Sequence, residues 1–175
     1  MRKMLFICLV IVVSFFSGYA FKSIFSHQKS EHQAYKKVTG IGGIFFKCKD
    51  PRKMKEWYDK NLGITSNSYG AVFQWYQGGD STQKGFSTWC PFKETTKYFE
   101  PSQKEFMINY RVDNMDLLLA DLRKNAVKIL DTVESYDYGK FLHIIDEEGN
   151  KIELWEPNDK EYEALGRKLN SPTIK

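Results

Sequence analysis

The sequence predicts an α+β domain made of two βαβββ modules, whose curled mixed sheets surround a shared cleft. A strand-like alternation of apolar residues begins at Val38 and is followed by a capped amphipathic helix. The same order of strand, cap, helix and helix stop then returns: Val112 repeats Cys48 at a spacing of 64 residues, and Ala126 repeats Gly63 at a spacing of 63. Two copies of one unit, each with its helix on one side of its sheet, leave the other sides to form a cleft.

The N-terminal residues have the composition of an export signal. A short basic start precedes an uncharged apolar run from Met4 to Phe21, and Ala20 is a small residue suited to cleavage by a signal peptidase. Left uncleaved, a run of this length is long enough to span a bilayer. Residues 1–20 are therefore predicted to be a signal peptide or a membrane anchor, and the polar residues 21–37 a linker. The protein is expected to be periplasmic, extracellular or membrane-anchored, with membrane contact through this segment alone.

Composition and charge narrow the class of protein further. The chain of 175 residues is 42% hydrophobic, which is enough for a packed core. Its 26 basic and 22 acidic residues are spread along the chain without a long basic run, so nucleic acid is not an expected partner. In an oxidising compartment, Cys48 and Cys90 either form a disulfide or remain two buried thiols, and the sequence leaves both alternatives open.

Each module has a recognisable start and end. Module one, about residues 38–92, has an alternating strand, a helix that begins at the Asp50–Pro51 cap and stops at Gly63, and about three shorter strands. Module two, about residues 104–157, repeats this order and closes with a hairpin. Residues 158–175 are predicted to form a last short helix, packed on the outside of the domain, and a frayed tail.

Strand parity separates two faces of the predicted sheets. One face is nearly all apolar, as expected under the helices. The other face mixes aromatic, amide and charged side chains, which is typical of a ligand-binding cleft. We therefore expect the cleft to bind a small, partly aromatic or polar organic molecule. The predicted ligand-binding residues are Phe45, Lys47, Met107, Asn109, Arg111 and Trp155.

The hairpin that ends module two carries the candidate catalytic residues. If its turn pairs Ile144 with Ile152, then His143 faces Glu153 within hydrogen-bonding distance. A register shifted by one residue would send His143 into the core instead. A histidine that titrates near neutral pH beside a carboxylate is suited to general acid–base chemistry. Glu153 and His143 are therefore the predicted catalytic pair, and the alternative role of Glu153 is that of a single polar anchor in the cleft.

Three stretches of the chain resemble the vicinal oxygen chelate superfamily, which includes glyoxalase I and the fosfomycin and bleomycin resistance proteins. They are FFKCKDPRKMKEWYDKNLGI in module one, YRVDNMDLLLADLRKNAVKI at the matching place in module two, and IIDEEGNKIELWEP at the end of module two. The resemblance covers residues 38–157 and implies a glyoxalase-like domain of paired βαβββ modules around a shared cavity. This fold agrees with the internal repeat.

The resemblance also implies four metal-ligand positions, one on the first and one on the last strand of each module. Gly43 and Met107 stand at the two first-strand positions, and neither side chain offers an oxygen or nitrogen donor. The last strand of module one has neither carboxylate nor imidazole, and Thr88 or Cys90 lies nearest to that position. Since Glu153 alone matches the pattern, no cofactor is expected, and a divalent metal ion is the alternative.

Three functions follow from these observations. The first is a cavity that binds or sequesters a small molecule without a metal ion. The second is a glyoxalase-like lyase or isomerase, either metal-dependent or using Glu153 with His143. The third is a non-catalytic interaction module, in which the cleft is filled by the protein's own side chains and a homodimer forms through an exposed sheet edge.

Overall fold

The computed structural model describes residues 37–175. The predicted signal peptide or membrane anchor, and all but the last residue of the predicted linker, lie outside the described residues. Within residues 37–175, no helix is long and apolar enough to cross a membrane.

The two modules follow each other along the chain, and a short C-terminal extension comes after them. Module one consists of β1 (Val38–Cys48), α1 (Pro51–Leu62), β2 (Ala71–Tyr76), a 3₁₀ turn (Gln77–Gly79) and β3 (Lys84–Lys93). Module two consists of β4 (Phe106–Val112), α2 (Met115–Lys124), β5 (Lys128–Ile129), β6 (Glu134–Tyr136), β7 (Gly139–Ile145) and β8 (Lys151–Pro157). The extension forms α3 (Asp159–Lys168) and β9 (Thr173–Ile174).

The helix ends lie where the sequence places its capping signals. The side chain of Asp50 accepts hydrogen bonds from the backbone N–H groups of Arg52 and Lys53, at 3.0 and 3.1 Å, and thereby satisfies the first turn of α1. Gly63 ends the helix in the left-handed conformation, with φ of 67°. In module two, Asn114 caps α2 by accepting from the N–H of Leu117 at 2.9 Å. The predicted pattern of strand, cap and helix is therefore present in both modules.

One mixed sheet joins the two modules, in the strand order β5–β7–β8–β4–β1–β3–β2–β9, and β6 also pairs with β7. The first strands of the modules, β1 and β4, are antiparallel at the centre. Each first strand pairs in parallel with the last strand of its own module, β1 with β3 and β4 with β8. This duplicated pairing confirms the predicted α+β fold class.

Module one differs from the prediction in its number of strands. Two strands, β2 and β3, follow α1 instead of about three, and the residues before β2 form an isolated bridge between Asn67 and Gly70. Gly70 has φ of 106°, a left-handed conformation that interrupts an extended strand. The free edge of β2 is paired in parallel with β9 at Val72 and Phe73, so the C-terminus of the chain supplies the edge strand.

The concave face of the sheet is the side that carries Phe45, Met107, Asn109, Glu153 and Trp155. The connection between β3 and β4, residues 94–105, crosses this face and is called the strap. Its Phe99 is 1% exposed and packs against the buried side chains of Phe45 and Met107. Since an aromatic side chain fills this end of the cleft, the core of the domain lies partly where an open cavity was expected.

The last helix lies on the concave side of the sheet, and the prediction that it packs on the outside is wrong. The ring of Tyr162 packs against Phe86 and Trp155, with centroids 5.6 and 4.9 Å apart. Asp159, the first residue of α3, binds the guanidinium of Arg111. The local sequence predicts an amphipathic helix but not the surface that it covers. Its contacts with the buried Arg111 and with the rings of Phe86 and Trp155 determine that surface.

The two cysteines of the described chain are both free thiols. Cys90 pairs with Phe45 across the sheet and packs against the apolar cluster on the concave face. Cys48 lies three positions beyond Phe45 on β1, so its side chain points to the opposite face. A disulfide between them would have to pass through the sheet, and the thiol alternative is the one that fits this fold.

Candidate functional site

Glu153 lies on β8, at the centre of a hydrogen-bonded cluster on the concave face, and is 4% exposed. The side-chain amide of Asn109 donates to its Oε1 at 2.6 Å, across the parallel β4–β8 pair. The hydroxyl of Tyr98, from the strap, donates to its Oε2. His143 Nε2 lies 3.0 Å from the same oxygen. A buried carboxylate with three such donors is stabilised in its charged form.

The hairpin has the register on which the predicted catalytic pair depends. Ile144 pairs with Ile152, and His143 pairs with Glu153 directly across the strands. The structure therefore brings the two residues together. It adds an aspartate that was not predicted, because Asp131 Oδ2 lies 2.6 Å from His143 Nδ1 and its Oδ1 accepts from the backbone N–H of His143 at 2.9 Å. Asp131, His143 and Glu153 form one continuous chain of hydrogen bonds.

The sequence offered little to reveal Asp131 or Tyr98. Asp131 lies in the connection between two short strands, and Tyr98 lies in the strap, so neither belongs to a periodic element. A weak signal was available for Asp131: it lies two residues after β5, which pairs with the strand that carries His143, and an acidic residue so close to a paired strand can reach that histidine. Tyr98 gave none, because the surface that an irregular connection covers is set by long-range packing.

Charge and burial act in opposite directions on this cluster. Burial favours neutral His143, but the hydrogen bonds and negative charge of Glu153, and the hydrogen bond of Asp131, outweigh it and raise the histidine pKa above its ordinary value. Burial likewise opposes the ionisation of Glu153, yet its hydrogen bonds from His143, Tyr98 and Asn109 hold the carboxyl pKa below the ordinary value. Both shifts favour the protonated form of His143 and the ionised form of Glu153.

Tyr98 and Lys151 cover the cluster from the cleft side. The Lys151 ammonium donates to the backbone carbonyl of Tyr98 at 2.7 Å and lies 4.9 Å from the centre of its ring. Burial lowers the pKa of Lys151, against the charges of Asp131 and Glu153. Burial and the neighbouring Glu153 raise the pKa of the Tyr98 hydroxyl, which therefore stays a hydrogen-bond donor. The strap thus closes the approach to Glu153.

The strand pairing gives the places of the four metal-ligand positions that the resemblance implies. Cys90 pairs with Phe45 on β1, and Glu153 pairs in the same way with Asn109 on β4. Cys90 is therefore the counterpart of Glu153 in module one. The four positions hold Gly43, Cys90, Met107 and Glu153. Met107 is fully buried, and Cys90 packs beside it against the apolar cluster with Phe99. In residues 37–175, no group of three or more histidine, cysteine, aspartate or glutamate side chains is arranged to hold a metal ion.

The predicted ligand-binding residues are all accounted for by contacts within the protein. Phe45 and Met107 pack against Phe99, and Asn109 binds Glu153. Arg111 lies between the rings of Trp75 and Trp155, 5.3 and 5.1 Å from their centres. Lys47 lies 5.7 Å from the ring centre of Phe99 and 3.8 Å from the carboxylate of Glu105. None of the six predicted residues lines the cavity that lies between β2, β3 and the C-terminal extension.

A cavity of about 790 Å³ lies between the strands β2 and β3 and the C-terminal extension. Its apolar wall is rich in aromatic side chains, and its polar wall includes amide, hydroxyl and charged groups. The lining side chains include those of Val72, Gln74, Lys84, Phe86, Thr88, Tyr138, Tyr162, Glu163, Leu165 and Arg167. The sequence did not predict this cavity, because α3 forms one wall and was expected to lie elsewhere.

The paired βαβββ modules and their joint mixed sheet give the chain a vicinal-oxygen-chelate-like fold. Solved structures with this fold include methylmalonyl-CoA epimerases, which are members of the superfamily. The Streptomyces coelicolor enzyme in complex with 2-nitronate-propionyl-CoA is 18% identical, with a TM-score of 0.51 over 69% of this chain and 99% of that chain. A methylmalonyl-CoA epimerase in complex with methylmalonyl-CoA and NH4+ is also 18% identical, with a TM-score of 0.51 over 69% and 96%. No protein-family model and no curated protein sequence matches the chain.

Proposed function

We propose that this protein binds a small organic molecule in the cavity between β2, β3 and α3. The observation that carries the proposal is the cavity itself, whose volume of about 790 Å³ is in the range of small-molecule sites. Its lining combines an aromatic wall with a few polar groups, as such sites do. The epimerases with this fold hold CoA esters in their structures, which supports a ligand-binding role without naming the ligand of this chain.

The proposed binding requires no metal ion. Gly43, Met107 and Cys90 stand at three of the four ligand positions that the resemblance implies, and Met107 and Cys90 pack in an apolar cluster with Phe45 and Phe99. A glycine and a thioether supply no donor for a hard or borderline cation, and one carboxylate is fewer than the three protein ligands of a typical catalytic site. Metal analysis of the purified protein is expected to find no divalent ion in stoichiometric amount.

The N-terminal apolar run supports a location outside the cytoplasm. Export would deliver the binding domain to the periplasm, the cell exterior or the membrane surface, where it would sequester a small molecule. Fractionation of cells expressing the full chain, with and without residues 1–20, tests this part of the proposal. Retention of both forms in the cytoplasm would contradict it.

Gly166 offers a sharp test of the cavity. It lines the cavity from α3, and a Cβ added there would meet no atom within 4 Å. Gly166→Trp is therefore expected to fill the cavity without clashing with the backbone, whereas Gly166→Ala leaves it open. A thermal-shift screen of small organic molecules is expected to yield compounds that stabilise the wild type and Gly166→Ala but not Gly166→Trp. Equal shifts in both variants, or no shift with any compound, would overturn the proposal.

A second candidate function is metal-free proton transfer at Glu153. The chain of hydrogen bonds from Asp131 through His143 to Glu153 favours it, because this arrangement holds a carboxylate and an imidazole in fixed orientation. Tyr98 would have to leave Glu153 before a substrate reached it. A lyase or isomerase of this kind is expected to lose turnover in Glu153→Gln while keeping ligand binding in the Gly166 cavity. Turnover that survives Glu153→Gln would exclude this function.

A further inference from the structure

We infer that the ligand of this cavity is an organic acid in which a flat aromatic or conjugated group carries an anionic group. The inference rests on the proposed function, since it concerns the same cavity. It assigns the flat group to the aromatic wall and the anion to the cationic end of α3 and β3.

The aromatic wall is built by side chains fixed on three elements. Phe86 on β3 is 3% exposed, and its ring lies 5.6 Å from that of Tyr162 on α3. Tyr138, which precedes β7, completes the wall, and Val72 and Leu165 add aliphatic surface. The hydroxyl of Tyr162 lies 2.8 Å from Thr88 Oγ1, which fixes the ring. Rigid aromatic surfaces of this kind favour a flat apolar partner.

The charged end of the cavity has more cations than carboxylates. Lys84 Nζ and Arg167 Nη1 both bind Oε1 of Glu163, at 2.6 and 3.2 Å. The hydrogen bond from Lys84 holds the pKa of Glu163 below its ordinary value, so the carboxylate stays charged at neutral pH. One carboxylate therefore neutralises one of two cations and leaves a net positive charge. An anionic group on the ligand complements this charge.

Two polar groups in the lining, the amide of Gln74 and the hydroxyl of Tyr138, make no side-chain hydrogen bond within the part of the chain that the structure describes. Both can therefore bind polar substituents of a ligand without first breaking a contact in the protein. Such free donors and acceptors fix the orientation of a flat ligand whose anion already lies at Lys84 and Arg167.

Binding of a matched pair of probes tests the inference. Isothermal titration at low salt compares 2-naphthoate with 2-naphthamide, which share a flat ring system and differ in charge. The acid is expected to bind the wild type about tenfold more tightly than the amide. Lys84→Gln and Arg167→Gln are each expected to weaken acid binding about threefold to tenfold and to leave amide binding unchanged. Glu163→Gln is expected to strengthen acid binding, because it removes the competing carboxylate.

Lys128→Gln, which removes an exposed cation from β5 in module two, is the matched control and is expected to change neither affinity. An amide that binds as tightly as the acid would overturn the inference while leaving the proposed function intact. If neither probe binds, and no compound distinguishes Gly166→Trp from Gly166→Ala, the inference and the proposed function fail together.

Discussion

Both carboxylate oxygens of Asp159 bind the guanidinium of Arg111, at 2.9 and 2.6 Å. Arg111 is 1% exposed and is packed between two tryptophan rings. A bidentate contact with a buried guanidinium holds its partner in a fixed position. Asp159 begins α3, so this contact fixes the N-terminal end of the helix that forms one wall of the cavity.

Asp159→Asn is expected to lower the free energy of unfolding by about 2 to 3 kcal/mol, because it leaves a buried guanidinium without a counter-charge. Urea denaturation measures this loss. The control is Asp116→Asn, which breaks the exposed ion pair with Lys140 and is expected to cost less than about 0.5 kcal/mol. Equal losses in the two variants would show that Arg111 does not depend on Asp159.

The sequence was most informative where structure is local and periodic. The Asp50 cap, the Gly63 stop and the repeat between the modules are set by neighbouring residues, and the structure has all of them. The sequence predicted the hairpin but left two registers open, and the structure has the one that pairs His143 with Glu153.

The parts that could not be predicted depend on long-range packing. The strap carries Tyr98 and Phe99 onto the concave face, although its own sequence has no period that indicates a surface. The amphipathic pattern of α3 is compatible with either side of the sheet, and the ion pair with Arg111 joins residues 48 positions apart. The cavity has α3 as one wall, so it was missed together with the position of that helix.

The cluster around His143 predicts a pH dependence of stability. The pKa of His143 is raised in the folded state, so the folded protein binds more protons than the unfolded chain above the ordinary value of 6.5. The stabilising contribution is complete below that value and is lost as the pH rises through the raised pKa. Urea denaturation from about pH 5.5 to about pH 9 is expected to show a falling free energy of unfolding.

His143→Asn is the control for this pH dependence, and its stability is expected to vary less over the same range. His143 is the one histidine in residues 37–175, so the difference between the two curves isolates its titration. Glu153 affects stability at acidic pH, because its pKa is lowered in the folded state. Its contribution to the free energy of unfolding is present above the ordinary value of 4.5 and is lost as the pH falls through the lowered pKa. Parallel curves for wild type and His143→Asn would contradict a raised pKa of His143 in the folded state.

Gly42 on β1 gives a test that links packing to the Glu153 cluster. A Cβ at this position would overlap Oδ1 of Asn109 and lie 2.9 Å from the ring of Trp155. Gly42→Ala is therefore expected to push the Asn109 amide away from Glu153 and to destabilise the fold by about 1 to 3 kcal/mol. Gly166→Ala is the matched control, because its Cβ meets open space in a helix and is expected to stabilise the fold by about 0.5 to 1 kcal/mol. Urea denaturation of both variants measures the two effects, and a Gly42→Ala protein as stable as the wild type would show that Asn109 is not confined by the backbone of β1.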